Sequence, residues 1–262
     1  METQLRGKRA LIAAGSKGLG FGIASNLARE GAHVSICSRD VANAAAAADH
    51  IQSETGQDCH YFAADVSRNV DLDAWVMAAA EALGGIDLVV ANAGGPPAGN
   101  FQDFQDEHWH SAFQLTLMSV VRLVRYTLPY LKQSEAPSIL AITSASIKEP
   151  IDNLLLSNVF RSGVAALIKS LSQELAPYGI RVNNLAPGRI DTDRVRSLDE
   201  AQAKKNNRDY GEQRRISEAT IPLGRYGQIE EFGRAGAFLL SPAAAYLTGQ
   251  TLFVDGGSVK SY

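Results

Sequence analysis

Cysteine is nearly absent from the chain: Cys37 and Cys59 lie 22 residues apart, and neither belongs to a CxxC or Cys/His cluster. This leaves no basis for a disulfide framework or a thiolate metal site, and both thiols read as small core hydrophobes. Long apolar runs are absent too. Nothing approaches the roughly 18 residues of a membrane span, and the run at 10–14 is too short for a secretory signal. Charge of one sign is also missing, because 25 Lys and Arg face 28 Asp and Glu, for a net −3. That balance gives no electrostatic case for nucleic acid or anionic membrane as partner. The five histidines, at 33, 50, 60, 108 and 110, form no cluster, so no metal site is expected. No Pro/Gly/Ser linker, composition change or internal repeat divides residues 1–262, which we therefore read as one domain of a cytoplasmic protein.

What is present is an alternation of short apolar strands and helical stretches. Strands are expected at 10–14, 33–38, 61–65, 86–91, 138–143, 180–186 and 251–254. Helices are expected at 20–30, 41–54, 72–83, 107–131, 155–177 and 229–240. Parallel strands need a helix across one face at each crossover. The pattern therefore predicts an α/β fold: a Rossmann-type doubly wound parallel sheet of about seven strands with helices on both faces. One stretch, 191–220, is polar and highly charged, with a KKNNRD run between a strand and a helix. It reads either as a solvated excursion or as a lid over a site, and the second is the stronger reading for a long insertion in a compact domain.

The first strand runs into Ala13-Ala14-Gly15-Ser16-Lys17-Gly18-Leu19-Gly20, which opens a helix. Glycines let the backbone approach a pyrophosphate, and a helix N-terminus favours its charge. A second strand ending in an acid would hold a ribose 2′-hydroxyl, but this one ends in Ser38 and is followed by Arg39. With Lys17 nearby, two cations and no acid favour a 2′-phosphate, so the expected cofactor is NADP(H) in preference to NAD(H).

These residues resemble the short-chain dehydrogenase/reductase family over nearly the whole chain. Ala13 to Gly20 resemble its TGxxxGxG, with Ala13 and Ala14 replacing the Thr and first Gly, and Asn92-Ala93-Gly94 resemble its NAG. Arg181-Val182-Asn183, Pro187-Gly188 and Thr192 resemble RVNxxxPGxxxT. The resemblance implies cofactor contacts from Gly15, Ser16, Lys17, Gly18, Leu19, Gly20, Ser38, Arg39, Asp65, Val66, Asn92, Ala93, Gly94, Arg161, Pro187, Gly188, Ile190 and Thr192. Asp65 is the acid that would meet the adenine. Leu247-Thr248-Gly249-Gln250 and Val254-Asp255-Gly256-Gly257 resemble the family's C-terminal end, which implies a homotetramer or homodimer. Overall the chain is most similar to the 3-oxoacyl-carrier-protein reductase branch.

The family's Asn-Ser-Tyr-Lys set is broken. Ser144 holds the Ser position, but 13 residues on Ser157 stands for the Tyr, and 4 further Arg161 stands for the Lys. Thr116 stands for the Asn. A tyrosine hydroxyl titrates near 10 and a neighbouring cation brings it lower, whereas a serine hydroxyl is a far weaker acid. Arg161 cannot relay a proton but shares a helix face with Ser157, so it retains the tasks of holding ribose hydroxyls and polarising an oxyanion. Lys148 and Glu149, just after Ser144, are either a solvated loop pair or a substitute proton source. Asp191 and Asp193 read as structural or capping residues, and Tyr210 as lid packing. Three functions remain open. The first is an NADP(H)-dependent oxidoreductase acting on a small carbonyl or alcohol through Ser144, Ser157, Arg161, Thr116 and Lys148. The second is a non-redox isomerase or dehydratase on the same scaffold, and the third a non-catalytic NADP(H)-binding sensor or partner subunit.

Overall fold

The computed structural model describes residues 2–261. Its seven strands are β1 (Arg9–Ile12), β2 (His33–Ser38), β3 (Cys59–Ala63), β4 (Leu88–Ala91), β5 (Ser138–Ile142), β6 (Arg181–Pro187) and β7 (Thr251–Val254). They form one sheet in the order β3-β2-β1-β4-β5-β6-β7, with every neighbouring pair parallel. Helices α1 (Gly18–Arg29), α2 (Val41–Thr55) and α9 (Ile229–Leu240) cover one face, packing Ile23, Leu27, Ile51 and Phe232 against it. Helices α3 (Asn69–Leu83), α5 (Ser119–Leu131) and α6 (Leu155–Glu174) cover the other with Trp75, Leu123 and Ile168. Successive strand residues therefore meet opposite cores: Leu88 and Val90 face the first, Val89 the second. Both faces are apolar, which is why the strands read as continuous runs.

Several element ends differ from the sequence expectation by one to three residues, as at α3, which begins at Asn69, and three differences have a clear physical reason. The third strand begins two residues earlier than the expected 61–65, because its pairing with β2 sets Cys59 opposite Val34 and Ala63 opposite Ser38. It is an edge strand with exposed positions, so its hydrophobic pattern is weak. The single helix expected at 107–131 is instead α4 (Asp106–Phe113), a π-helical turn at Gln114–Met118, and α5. The stretch 191–220 holds two helices, α7 (Asp193–Lys205) and α8 (Tyr210–Ala219), capped by Thr192 and Asp209.

The N-terminal edge of the sheet is fastened by one buried carboxylate. Asp87 accepts hydrogen bonds from Arg9 Nε at 2.8 Å, Arg9 Nη2 at 2.7 Å, the Arg9 backbone N–H at 2.9 Å and Ser134 Oγ at 2.6 Å. Burial pushes its carboxyl up, but the bonds from Arg9 and Ser134 outweigh that and hold it below the usual carboxylate range. A depressed folded-state value contributes stability that is present above the unfolded carboxylate range and lost as pH falls through the folded value. Asp87→Asn is therefore expected to destabilise the protein at neutral pH by about 2–3 kcal/mol, a figure discounted because Arg9 is partly exposed. Thermal melts should show the gap to the parent closing below about pH 4; a gap independent of pH would contradict this account.

Candidate functional site

All seven strands point their C-terminal ends toward one cleft of about 1430 Å³. The chain leaves β1 and β4 in opposite directions across the sheet, which opens the crevice where such folds take their ligands. The glycine loop after β1 forms its floor. A Cβ on Gly20 would lie 2.6 Å from the Ala14 carbonyl oxygen and 2.8 Å from Asn92 Nδ2, and one on Gly15 2.9 Å from Ile36 Cγ2. Gly18 has φ +57°, and Ala14, standing where the family has glycine, is held at φ +47°. That conformation costs an alanine about 1 kcal/mol. Asn92 Nδ2 donates to the Ala14 carbonyl at 3.2 Å, tying the end of β4 to this loop. No side chain caps the N-terminus of α1, so its first N–H groups are open to a phosphate. These features fit a dinucleotide pyrophosphate.

Ser16, Lys17, Leu19, Ser38, Arg39, Asp65, Val66, Asn92, Ala93 and Gly94 line the same cleft, as do Pro187, Gly188, Ile190 and Thr192. Arg39 makes no ion pair within the described residues. Lys17 lies 3.8 Å from Asp193 of α7, both side chains largely exposed. Asp65 Oδ1 accepts from Ser67 N at 2.9 Å and Ser67 Oγ at 2.7 Å, which orients the carboxylate. The Thr192 hydroxyl caps α7, accepting from Val195 N at 3.3 Å.

Beyond the glycine loop lie Ser144, Ser157 and Arg161. Arg161 Nε donates to Ser157 Oγ at 3.1 Å, one helical turn apart on α6. Its Nη1 donates to the carbonyls of Ile142 at 3.0 Å and Thr143 at 3.1 Å, where β5 ends. Half of the guanidinium is thereby committed to backbone, leaving Nη2, which bonds nothing within the described residues, for a ligand. Burial, and then the charge of Arg194, push Arg161 down to about 10, so it stays protonated at neutral pH. Ser144 Oγ accepts from Ser146 N at 3.1 Å and caps a single 3-10 turn.

Two expected participants stand elsewhere. Thr116 lies in the π-helical turn, buried, with its Oγ1 unpartnered, and it is Leu115 beside it that lines the cleft. Lys148 is exposed and off the lining. Glu149 does line it, but its Oε1 accepts from the backbone N–H groups of Lys260 at 2.7 Å and Ser261 at 3.0 Å, which latches the C-terminal segment to the cleft rim. Its carboxylate is thus engaged in structure. Asp191 is likewise paired with Arg214 at 2.8 Å, and Tyr210 Oη accepts from the same Arg214 at 3.4 Å.

Several residues near the cleft carried no sequence signal. Asp199 of α7, 0% exposed, accepts from Arg189 Nη1 at 2.6 Å and from Tyr226 Oη at 2.7 Å, clamping α7 to the segment after β6. Gln213 of α8 lines the cleft while 5% exposed, with Oε1 unpartnered. Arg194 reaches across from α7 to the Pro96 carbonyl at 2.8 Å. In the sequence all of these sit in a run so rich in charge that no member stands out.

Fold and cleft together define a nicotinamide-dinucleotide-binding protein of the doubly wound class. A family model described as enoyl-(acyl carrier protein) reductase matches residues 13–259. The chain belongs to this family of short-chain dehydrogenases/reductases. It is 33% identical to dehydrogenase/reductase SDR family member 4 of Bos taurus, over 98% of this chain and 88% of the relative. It is 32% identical to the 3-oxoacyl-[acyl-carrier-protein] reductase FabG of Chlamydia trachomatis, over 98% and 99%. Among solved structures, L-sorbose reductase from Gluconobacter frateurii, complexed with NADPH and L-sorbose, matches with TM-score 0.95 at 30% identity over 100% of both chains. A short-chain oxidoreductase from Pseudomonas aeruginosa PAO1 containing an atypical catalytic center matches with TM-score 0.88 at 30% identity over 97% of both. Among the described residues no helix is long and apolar enough to cross a membrane, and no cluster of His, Cys, Asp or Glu could hold a metal.

Proposed function

We propose that this protein is an NADP(H)-dependent carbonyl reductase whose site works through Ser144, Ser157 and Arg161 without a catalytic tyrosine. The observation that carries the proposal is the continuity of one cleft. Its cofactor half, lined by Arg39 just after β2, is continuous with the part lined by Ser144, Ser157 and Arg161, the last two hydrogen-bonded to each other. The NADPH complex of the sorbose reductase supports the cofactor reading. The bound cofactor supplies or takes up the hydride. Ser144 Oγ, Ser157 Oγ and Arg161 Nη2 hold the carbonyl oxygen and stabilise the charge that develops on it. Arg161, fixed by the Ile142 and Thr143 carbonyls, presents its free N–H groups without reorganising. It keeps its proton, so the alkoxide takes one from water. In this reading residues 191–220 form a lid on one domain, and the protein is a cytoplasmic homotetramer or homodimer.

The first test is fluorescence titration with NADPH and NADH. Removing a charge-assisted phosphate contact costs about 1.5–3 kcal/mol. Arg39→Ala should therefore weaken NADPH binding roughly ten- to a hundredfold and leave NADH binding unchanged; equal loss of both would sink the 2′-phosphate assignment. Turnover of NADPH with ketones, aldehydes and 3-oxoacyl thioesters then tests the chemistry. The missing tyrosine favours a second reading, a cofactor-binding sensor or a non-redox enzyme. Tight NADPH binding without oxidation of NADPH would select it.

A further inference from the structure

Two guanidiniums that line the cleft, those of Arg194 and Arg161, pair with no carboxylate among the described residues. Arg194, the second residue of α7, crosses to the loop after β4, where its Nη2 donates to the Pro96 carbonyl at 2.8 Å. Its guanidinium lies flat enough on Gly95 that a Cβ there would be 3.0 Å from Nη2 and 3.2 Å from Cζ. Arg161, the second guanidinium of this space, bonds among the described residues to the Ser157 hydroxyl and two backbone carbonyls. The acids of the cleft are engaged elsewhere: Asp191 with Arg214, Asp193 with Lys17, and Glu149 with the C-terminal N–H groups. Asp152, exposed in the cleft lining, forms an ion pair with neither arginine. Arg194 itself stays exposed at the rim, and its charge adds to burial in pushing Arg161 down, so the two guanidiniums stand near enough to repel each other. Two like charges facing one cleft repel, and an anion held at Arg194 relieves that repulsion.

We infer that the substrate is an oxo acid, reduced to the hydroxy acid, whose carboxylate is bound by Arg194 while its carbonyl lies at Ser144, Ser157 and Arg161. The inference rests on the reductase reading for the carbonyl and on Arg194 alone for the anion. In the reaction the ketone carbon gains a hydride from NADPH and the oxygen gains a proton from water, giving the hydroxy acid and NADP+. The carboxylate itself is unchanged.

The test compares pyruvate, acetoacetate, 4-oxopentanoate and 5-oxohexanoate with their methyl esters, by kcat/KM under saturating NADPH. The parent should prefer at least one acid over its ester by about tenfold to a hundredfold, the worth of a charge-assisted bond. In Arg194→Gln that ratio should fall toward one, Arg194→Lys should keep part of it, and NADPH affinity should be unchanged in both. The same acids are titrated calorimetrically into the NADP+-saturated protein. Arg194-dependent binding without turnover would uphold the carboxylate site and defeat only the reductase reading. If esters match acids, if the preference survives in Arg194→Gln, if NADPH affinity drops with the variant, or if no acid binds, the inference is overturned. Should Arg194→Gln fail to fold, the ratios of the parent and of Arg194→Lys decide.

Discussion

Gly20→Val is expected to lower NADPH affinity by roughly a hundredfold or more. The reason is local and geometric. A Cβ at this position meets the Ala14 carbonyl oxygen at 2.6 Å, Asn92 Nδ2 at 2.8 Å and Gly15 Cα at 3.2 Å. None is the loose end of a long side chain. Two belong to the loop that must approach the pyrophosphate, and the third is the amide that ties this loop to β4. Either α1 or the loop must move, and the uncapped first turn of α1 is where the phosphates are proposed to sit. Overpacking of this kind costs about 1–3 kcal/mol in stability as well, so melting should fall by several degrees while circular dichroism keeps the α/β signature. Fluorescence titration at parental affinity would show that the cofactor lies elsewhere.

The other large effect comes from restoring the family's missing pair. Ser157→Tyr combined with Arg161→Lys is expected to raise turnover of a reducible carbonyl by about a hundred- to ten-thousandfold, the range of a positioned general acid. Ser157 is buried but lines the cleft, so a tyrosine ring there is directed into the cleft. A lysine at 161 would sit one turn away and draw the phenol toward neutrality, which a serine hydroxyl cannot reach. The pH profile should change in kind: flat around neutrality in the parent, because Arg161 titrates only at about 10, and bending near the lowered tyrosine value in the variant. Arg161→Lys alone should lose activity. A lysine has no planar fork to serve the Ile142 and Thr143 carbonyls and Ser157 together. If the double variant turns over no faster than the parent, the native site does not handle the carbonyl as proposed.

The sequence by itself determined the fold class, and for a clear physical reason. In a sheet buried on both faces every strand position must be apolar, and each parallel crossover must carry an amphipathic helix. The alternation of runs such as 86–91 with helices such as 229–240 therefore leaves few other solutions. The glycine loop was legible as well, since a close backbone approach excludes side chains at the same few positions in any protein that makes it. That serine and arginine stand at 157 and 161 where the family has tyrosine and lysine followed from the resemblance, counted forward from Ser144. Local pattern was weaker where tertiary contacts set the outcome. Pairing with β2 placed β3 two residues upstream, and the π-helical turn that buries Thr116 left no mark in the helical periodicity.

Only the tertiary structure decided what each charge does. Lys148 and Glu149 are adjacent in the chain, yet one is exposed outside the cleft and the other holds the C-terminal segment more than a hundred residues away. Within the charged run at 191–220, Asp191 and Asp199 are consumed by Arg214 and Arg189, while Arg194 has no acidic partner among the described residues and lines the cleft. The partner of a charge is fixed by distance in three dimensions, through contacts such as Arg189 to Asp199 and Ser261 N to Glu149, 10 and 112 positions apart. Composition records how many charges a segment carries, and only the folded chain shows which of them are left for a ligand.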